Sequence, residues 1–253
     1  MEFSKLKKLF INILFLPRCM ACGELLDIEK NAIENLSLCP ECLARYRIAK
    51  AEVCPECNLS AERCLCGVSK RGIETGDLPK LFYYRTQRES SIQSRIIYAL
   101  KHENDIRFAT FMADELSVIV SRLMIERKIS PDECVFTYVP RRSKAVTDDG
   151  FDQGQRLALC VAKTFDLKRN FARVFVRHGG KEQKRLNSNE RKSNIKKAIK
   201  LRKKIETKIQ NKTVLLFDDL VTSGVTMSVA KSLLTDAGAK AVICITVGRT
   251  VGE

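Results

Sequence analysis

The clearest regularity of apolar and polar positions lies near the C-terminal end of the chain. Val214 to Phe217 is an unbroken apolar run, which is how a strand buried on both faces reads. Asp218 and Asp219 follow where that strand is expected to end, and then comes the small, hydroxyl-rich run Leu220-Val221-Thr222-Ser223-Gly224-Val225-Thr226. From Thr226 the spacing turns helical: Val229, Ala230, Leu233, Leu234 and Ala237 share one face, and Gly238 stands where a C-terminal cap belongs. A second apolar run, Ala241 to Val247, completes a strand–helix–strand unit and predicts parallel strands joined by a right-handed crossover.

Upstream the same patterns recur. Leu6, Leu9, Phe10, Ile13 and Leu14 fall on one side of a helix predicted over Lys5–Leu16 and ended by Pro17. Such a helix either packs on the main domain or, as a basic amphipathic segment, touches a membrane or a partner. Ser69 to Lys80 reads as a glycine-containing bridge and Leu81 to Tyr84 as an edge strand. Ser91–Lys101 and Phe108–Arg127 are amphipathic helices, Cys134–Val139 is a buried strand, Gly150-Phe151-Asp152-Gln153 opens a helix running to Lys163, and Phe171–Arg177 is a further strand. His178 to Lys204 is polar and basic, with almost no apolar periodicity until Ile195 and Ile199. A polar loop of that length inside a compact domain is usually functional or disordered, and here it is placed to close over an anionic ligand. The alternation predicts an α/β fold: a parallel sheet flanked by helices over residues 71–253, a small Cys-rich module over 18–70 and an amphipathic helix over 1–17.

Composition sharpens this picture at two places. The chain has 253 residues, 45% of them hydrophobic, and a formal charge of +15. Between Lys168 and Lys208 there are 16 Lys and Arg against 3 acidic residues, so nearly all of the excess lies in one stretch. A polyanionic partner fits that charge; the alternative is a solvated lid. Eight of the eleven cysteines lie in the first 66 residues, spaced for metal binding in a reducing compartment rather than for disulfides. Cys19-x-x-Cys22 and Cys39-x-x-Cys42 have the knuckle spacing of a tetrahedral zinc site, and Cys54-x-x-Cys57 with Cys64-x-Cys66 forms a second, tighter set. One or two structural zinc ions are expected, because so short a segment buries too little apolar area to fold alone. A cross-braced pairing of all eight thiols remains open. Cys134, Cys160 and Cys244 sit in apolar runs and are expected in the core, while His102 and His178 stand isolated. No apolar run approaches a membrane span, and no cleavage site follows Leu9–Leu16, so a cytoplasmic protein is expected.

The turn after Phe217 carries the chemistry. A turn that opens a helix aims unpaired backbone N–H groups at one spot, where the helix dipole favours an anion. Gly224 allows close approach, and Thr222, Ser223 and Thr226 add hydroxyls. Two carboxylates beside that pocket suit sugar hydroxyls, with a divalent cation nearby. Phosphate at one end and a diol at the other describe a ribose 5-phosphate. A generic phosphate loop is disfavoured, since no Gly-Lys-Ser/Thr follows a glycine-rich turn. Val214 to Thr226 resembles the phosphoribosyl pyrophosphate (PRPP) motif of type I phosphoribosyltransferases. The resemblance implies that Asp218 and Asp219 hold the ribose 2- and 3-hydroxyls, as the catalytic pair. It implies that Thr222, Ser223, Gly224, Val225 and Thr226 wrap the 5-phosphate, and that Mg²⁺ accompanies PRPP. The loop after the first parallel strand of that family binds the pyrophosphate, which points to Arg141, Arg142 and Lys144.

Taken with the cysteine knuckles, Val139-Pro140-Arg141-Arg142, Gly150-Phe151-Asp152-Gln153 and the run Gln183-Lys184-Arg185-Leu186 to Glu190-Arg191 and Asn194, the motif resembles the competence protein ComF (ComFC) family over essentially the whole chain. Members join a zinc ribbon to a type I phosphoribosyltransferase domain. The resemblance implies a role in natural transformation, with incoming single-stranded DNA and, at the inner membrane, the DNA-uptake machinery as partners. Lys181, Lys184, Arg185, Arg191, Lys192, Lys196 and Lys197 are then the candidate DNA contacts, and the stretch around them is the family's mobile loop over the reacting centre. An active transferase with an unidentified acceptor, or a PRPP sensor without turnover, are the rival readings. Only Gly248 to Glu253 follow the last predicted strand, which argues against an ordinary nucleobase-salvage enzyme. One departure stands out: Asp149 precedes Gly150 where family members usually carry Arg.

Overall fold

A computed structural model of the chain describes residues 16–30, 37–70, 73–86, 90–178, 193, 195 and 197–251. The helix expected over 1–17 therefore lies almost wholly outside the described residues, as do Lys181, Lys184, Arg185, Arg191, Lys192 and Lys196.

The centre is a four-stranded parallel sheet in the order β3 (Lys80–Tyr84), β8 (Ala241–Thr250), β7 (Thr213–Val221), β4 (Cys134–Tyr138). Period-two alternation sends Leu215 and Phe217 of β7 to one face and Val214 and Leu216 to the other. The first face is covered by α2 (Ile92–His102), α3 (Ile106–Glu126) and α5 (Gln153–Thr164), whose Ile96, Leu116 and Leu157 are fully buried. The second is covered by the short α6 (Glu206–Ile209), by α7 (Val225–Asp236) and by a hairpin of β5 (Phe175–Arg177) with β6 (Ile199–Leu201). Helices on both faces are what unbroken apolar strands require, so the expected α/β architecture, a parallel sheet flanked by helices, is the one observed. Cys134, Cys160 and Cys244 are buried, as their runs predicted.

Three elements differ from expectation. β7 does not stop at Phe217: it runs through both aspartates to Val221, because β8 extends to Thr250 and keeps pairing, with Leu220 opposite Gly248 and Val221 opposite Arg249. Of Phe171–Arg177, only Phe175–Arg177 is a strand, and it pairs antiparallel with β6 outside the main sheet. Phe171 makes one parallel bridge to Phe136, and the chain then turns away so that Val174 and Phe175 seal the second face. The Pro140–Lys144 loop is shorter than expected, since a helix, α4 (Ser143–Asp149), begins inside it and is capped by Gly150 at φ +77°.

The cysteine-rich segment is packed onto this domain. Its helix α1 (Pro40–Ala51) lays Tyr46 edge-on to Phe82 and gives the Tyr46 hydroxyl to Glu115 Oε2 at 3.0 Å. A short ladder of β1 (Ser69–Lys70) and β2 (Ile73–Glu74) then packs against α7, whose Lys231 Nζ donates to the Thr75 carbonyl at 3.1 Å.

Candidate phosphate site and metal centres

β4 ends one residue short of the acids. Tyr138 lies opposite Phe217, and the Val139 N–H takes the Phe217 carbonyl at 2.9 Å. From Asp218 onward β7 has no partner on that side among the described residues, so a crevice opens beyond the carboxyl ends of the strands, where open parallel sheets bind ligands. The turn Thr222-Ser223-Gly224 follows, with Gly224 at φ +75°. A non-glycine residue is strained there, and an added Cβ would also lie 3.0 Å from Val68 Cβ. No side chain caps α7. Its first-turn amides and the exposed hydroxyls of Thr222 and Ser223 face a small cavity of about 40 Å³, lined by Asp218, Leu220 and the whole of Val221–Met227. The five loop residues expected at a phosphate are therefore gathered on one wall, with Asp218 among them.

The two aspartates diverge. Asp218 shares the parity of Val214 and Leu216 and faces the α7 and hairpin side. Asp219 shares the parity of Leu215 and Phe217 and faces α2. Burial, followed by the adjacent Asp219 charge, pushes Asp218 far above the usual carboxylate range. The Asp219 N–H donates to Asp218 Oδ1 at 2.9 Å, while Asp219 Oδ2 is buried and makes no hydrogen bond. Lys101 Nζ, from α2, is 3.5 Å from that oxygen. An orphaned buried carboxylate oxygen beside an open crevice suits a hydroxyl donor or a cation. Among the described residues no third ligand group joins the pair, so Mg²⁺ would need oxygens from a diphosphate and from water to complete its shell.

The basic residues expected at the pyrophosphate are divided. Arg141 gives one guanidinium nitrogen to Asp149 Oδ2 at 2.8 Å and the other to the Lys101 carbonyl at 3.3 Å. Asp149 also meets His102 Nδ1 at 3.0 Å, and first His102, then Arg141, hold its carboxyl below the usual range. His102 is thus not isolated. Arg142 and Lys144 make no ion pair among the described residues, and Lys197 is exposed. Two residues were not singled out from sequence. Arg177, at the end of β5, donates to the Pro140 carbonyl at 2.9 Å; burial, then the Arg142 charge, hold it below its ordinary value, and Asp218 pulls the other way. Lys101 had no signal beyond lying at the end of a helix.

The eight cysteines form two groups taken in sequence order, Cys19, Cys22, Cys39, Cys42 and Cys54, Cys57, Cys64, Cys66, with all sulfurs of a group within 4.8 Å. Cross-braced pairing is thereby ruled out. Cys22 and Cys39 sulfurs are 3.8 Å apart, the separation of two thiolates each about 2.3 Å from a tetrahedral zinc ion. Backbone N–H groups of Cys42, Glu56 and Cys66 point at cysteine sulfurs, as they do around thiolates. Each group can hold one zinc ion.

Residues 152–250 match the family profile for the phosphoribosyl transferase domain. None of the curated proteins compared with the chain matches it. Those residues are thus similar to a phosphoribosyltransferase-type domain. Preceded by two four-cysteine groups, it has a ComF-like architecture.

Proposed function

We propose that this chain is a PRPP-binding, phosphoribosyltransferase-like competence protein that handles incoming single-stranded DNA during natural transformation. It works in the cytoplasm, in part peripherally at the inner membrane beside the DNA-uptake machinery. The observation that carries the ligand assignment is the meeting, at the end of β7, of an uncapped helix start at a left-handed glycine with Asp218 on the wall of the same cavity. The competence role is supported by the order of the cysteine groups and the transferase domain, and by the basic stretch from Lys168 to Lys208.

In this reading the α7 amides and the hydroxyls of Thr222, Ser223 and Thr226 take the 5-phosphate, and Asp218 and Asp219 take the ribose hydroxyls. Arg142 and Lys144 take the pyrophosphate, joined by Arg141 when it leaves Asp149. Mg²⁺ bound with the diphosphate supplies charge neutralisation of the leaving group. The contribution of the chain is positioning and electrostatics around C1 of the ribose.

Calorimetric titration of Mg²⁺–PRPP into the zinc-loaded protein tests the ligand. Asp218→Asn with Asp219→Asn should abolish binding, and an unchanged affinity counts against the assignment. Retardation of a single-stranded oligonucleotide tests the DNA role; alanine at the basic positions from Lys181 to Lys197 should weaken it and flatten its salt dependence. A second reading, an active phosphoribosyltransferase with no direct DNA contact, is favoured by a wide cavity that reaches Lys101. Pyrophosphate release that needs an added acceptor would support it.

A further inference from the structure

A cavity of about 790 Å³ lies between the first cysteine knuckle, the end of β3 and one face of α2. That is within the range of small-molecule sites, roughly 300–1,000 Å³. Met20, Ala21 and Ile97 make part of its wall apolar. Four basic side chains, Arg18, Arg95, Lys101 and His102, stand against a single acid, Glu103. Tyr98 lines it and is 62% exposed, with its ring 4.7 Å from that of His102. Arg18 is held in place by donating to the Gly23 carbonyl at 3.0 Å, while Arg95 has no ion pair among the described residues. Lys101 lines this cavity and also stands 3.5 Å from the unbonded oxygen of Asp219, so the cavity abuts the proposed ribose site from the side opposite the phosphate loop.

We propose that this cavity is the acceptor site, and that it takes a planar aromatic or heteroaromatic acid that carries a nucleophilic nitrogen. The Tyr98–His102 pair offers a face for the ring, and Arg95 with Arg18 offers charge-assisted hydrogen bonds to a carboxylate. The cysteine knuckle serves as the outer wall, so the zinc group shapes the acceptor site without touching the reaction. This inference rests on PRPP binding at Asp218 and Asp219. The acceptor then presents a nitrogen to C1: its lone pair forms the C1–N bond, the C1–O bond breaks, and that electron pair leaves on pyrophosphate. Where the nitrogen carried a hydrogen, the proton passes to water at the cavity mouth.

The test uses full-length, zinc-loaded protein and three acids, nicotinate, anthranilate and orotate, each paired with its uncharged counterpart, pyridine, aniline and uracil. Saturation-transfer NMR and calorimetry should show at least one acid binding about tenfold or more tighter than its counterpart, the scale of one charge-assisted contact. Tyr98→Ala and Arg95→Ala should each lower that affinity about tenfold while leaving Mg²⁺–PRPP affinity unchanged. Equal binding of acid and counterpart, binding of none, or indifference to both substitutions overturns the inference. Weaker single-stranded DNA retention in Tyr98→Ala with unaltered acid binding overturns it too, in favour of a nucleic-acid groove. Acid binding in a protein whose wild type does not bind PRPP overturns the acceptor role and the PRPP assignment, and leaves an aromatic-acid site.

Discussion

Lys101 Nζ stands 3.5 Å from Asp219 Oδ2, an oxygen that is buried and has no hydrogen bond. The pair joins α2 to the end of β7, two elements separated by more than a hundred residues, and ties the wall of the wide cavity to the strand that carries both aspartates. Asp219 is nearly inaccessible while Lys101 is about one-third exposed, so the pair lies between a surface and a buried bridge. Lys101→Met should cost about 1–2 kcal/mol, above the about 1 kcal/mol ceiling of exposed pairs and below the roughly 3–5 of a fully buried break. Denaturant midpoints measure it; a midpoint equal to that of wild type would show that Asp219 is solvated without Lys101.

Asp218 gives a pH signature. Its burial and the neighbouring Asp219 keep it protonated well above the usual carboxylate range in the folded protein. The folded state therefore binds more protons than the unfolded state between the ordinary value and the raised one, and stability falls as pH rises through that window. Asp218→Asn should remove this slope. Ligand hydroxyls or a cation at the site favour the charged carboxylate, so PRPP binding should release a proton and tighten with rising pH. Calorimetry in two buffers of different ionisation enthalpy reads the proton directly; no release would mean that Asp218 does not meet the ligand.

Gly224 is constrained twice, by φ +75° and by Val68 Cβ 3.0 Å from where its own Cβ would be. Gly224→Ala should destabilise by about 1–2 kcal/mol from the left-handed backbone alone, with a contact penalty added. Val68→Gly, which removes that Cβ, should recover most of the contact part and leave the backbone part. A double-mutant cycle separates them, and a coupling of zero would mean that the β1–β2 segment shifts freely from the turn.

The β7–α7–β8 unit was legible because unbroken apolar runs and a 3.6-residue stripe admit few alternatives, and the thiols were legible because Cys-x-x-Cys spacing is itself geometry. The extent of β7 was not, because a pair of aspartates looks like a strand end until a long neighbour such as β8 supplies partners through Thr250. The course of Phe171–Arg177 was hidden for the converse reason: alternation reports that one face is buried, not which sheet the strand joins. Lys101 and Arg177 reach the crevice only through tertiary packing, which no local pattern encodes.

Lys80 makes the second cysteine group part of the sheet. It is fully buried on β3, and its ammonium donates to the carbonyls of Cys64, Cys66 and Leu78 at 3.1, 3.1 and 3.0 Å and lies 3.4 Å from Cys64 Sγ. Arg249 of β8 adds a donor to the Cys66 carbonyl at 3.0 Å. A zinc ion with four thiolates carries net negative charge, and these two cations offset it. Lys80→Met should leave the buried Cys64 and Leu78 carbonyls without the lysine donor, while Cys66 keeps Arg249, and cost roughly 2 kcal/mol or more. Two zinc ions per chain are expected in wild type by metal analysis, and Lys80→Met should lose one to chelator first. Retention of both ions with an unchanged melting temperature would show that the thiolates need no cation from the sheet.

Asp149 stands where an arginine is usual in the resembled family, and it occupies Arg141 at 2.8 Å. An anionic ligand must compete with that carboxylate for the guanidinium, so the acid lowers affinity at the pyrophosphate end. Asp149→Asn removes the competing charge and leaves a side chain of the same shape to cap Arg141. PRPP, and pyrophosphate alone, should then bind several-fold tighter, on the order of 1 kcal/mol for one charge-assisted contact. Ribose 5-phosphate, which lacks the diphosphate, should show no gain. If all three ligands respond alike, Asp149 acts through the general field of the crevice and Arg141 is not a pyrophosphate ligand.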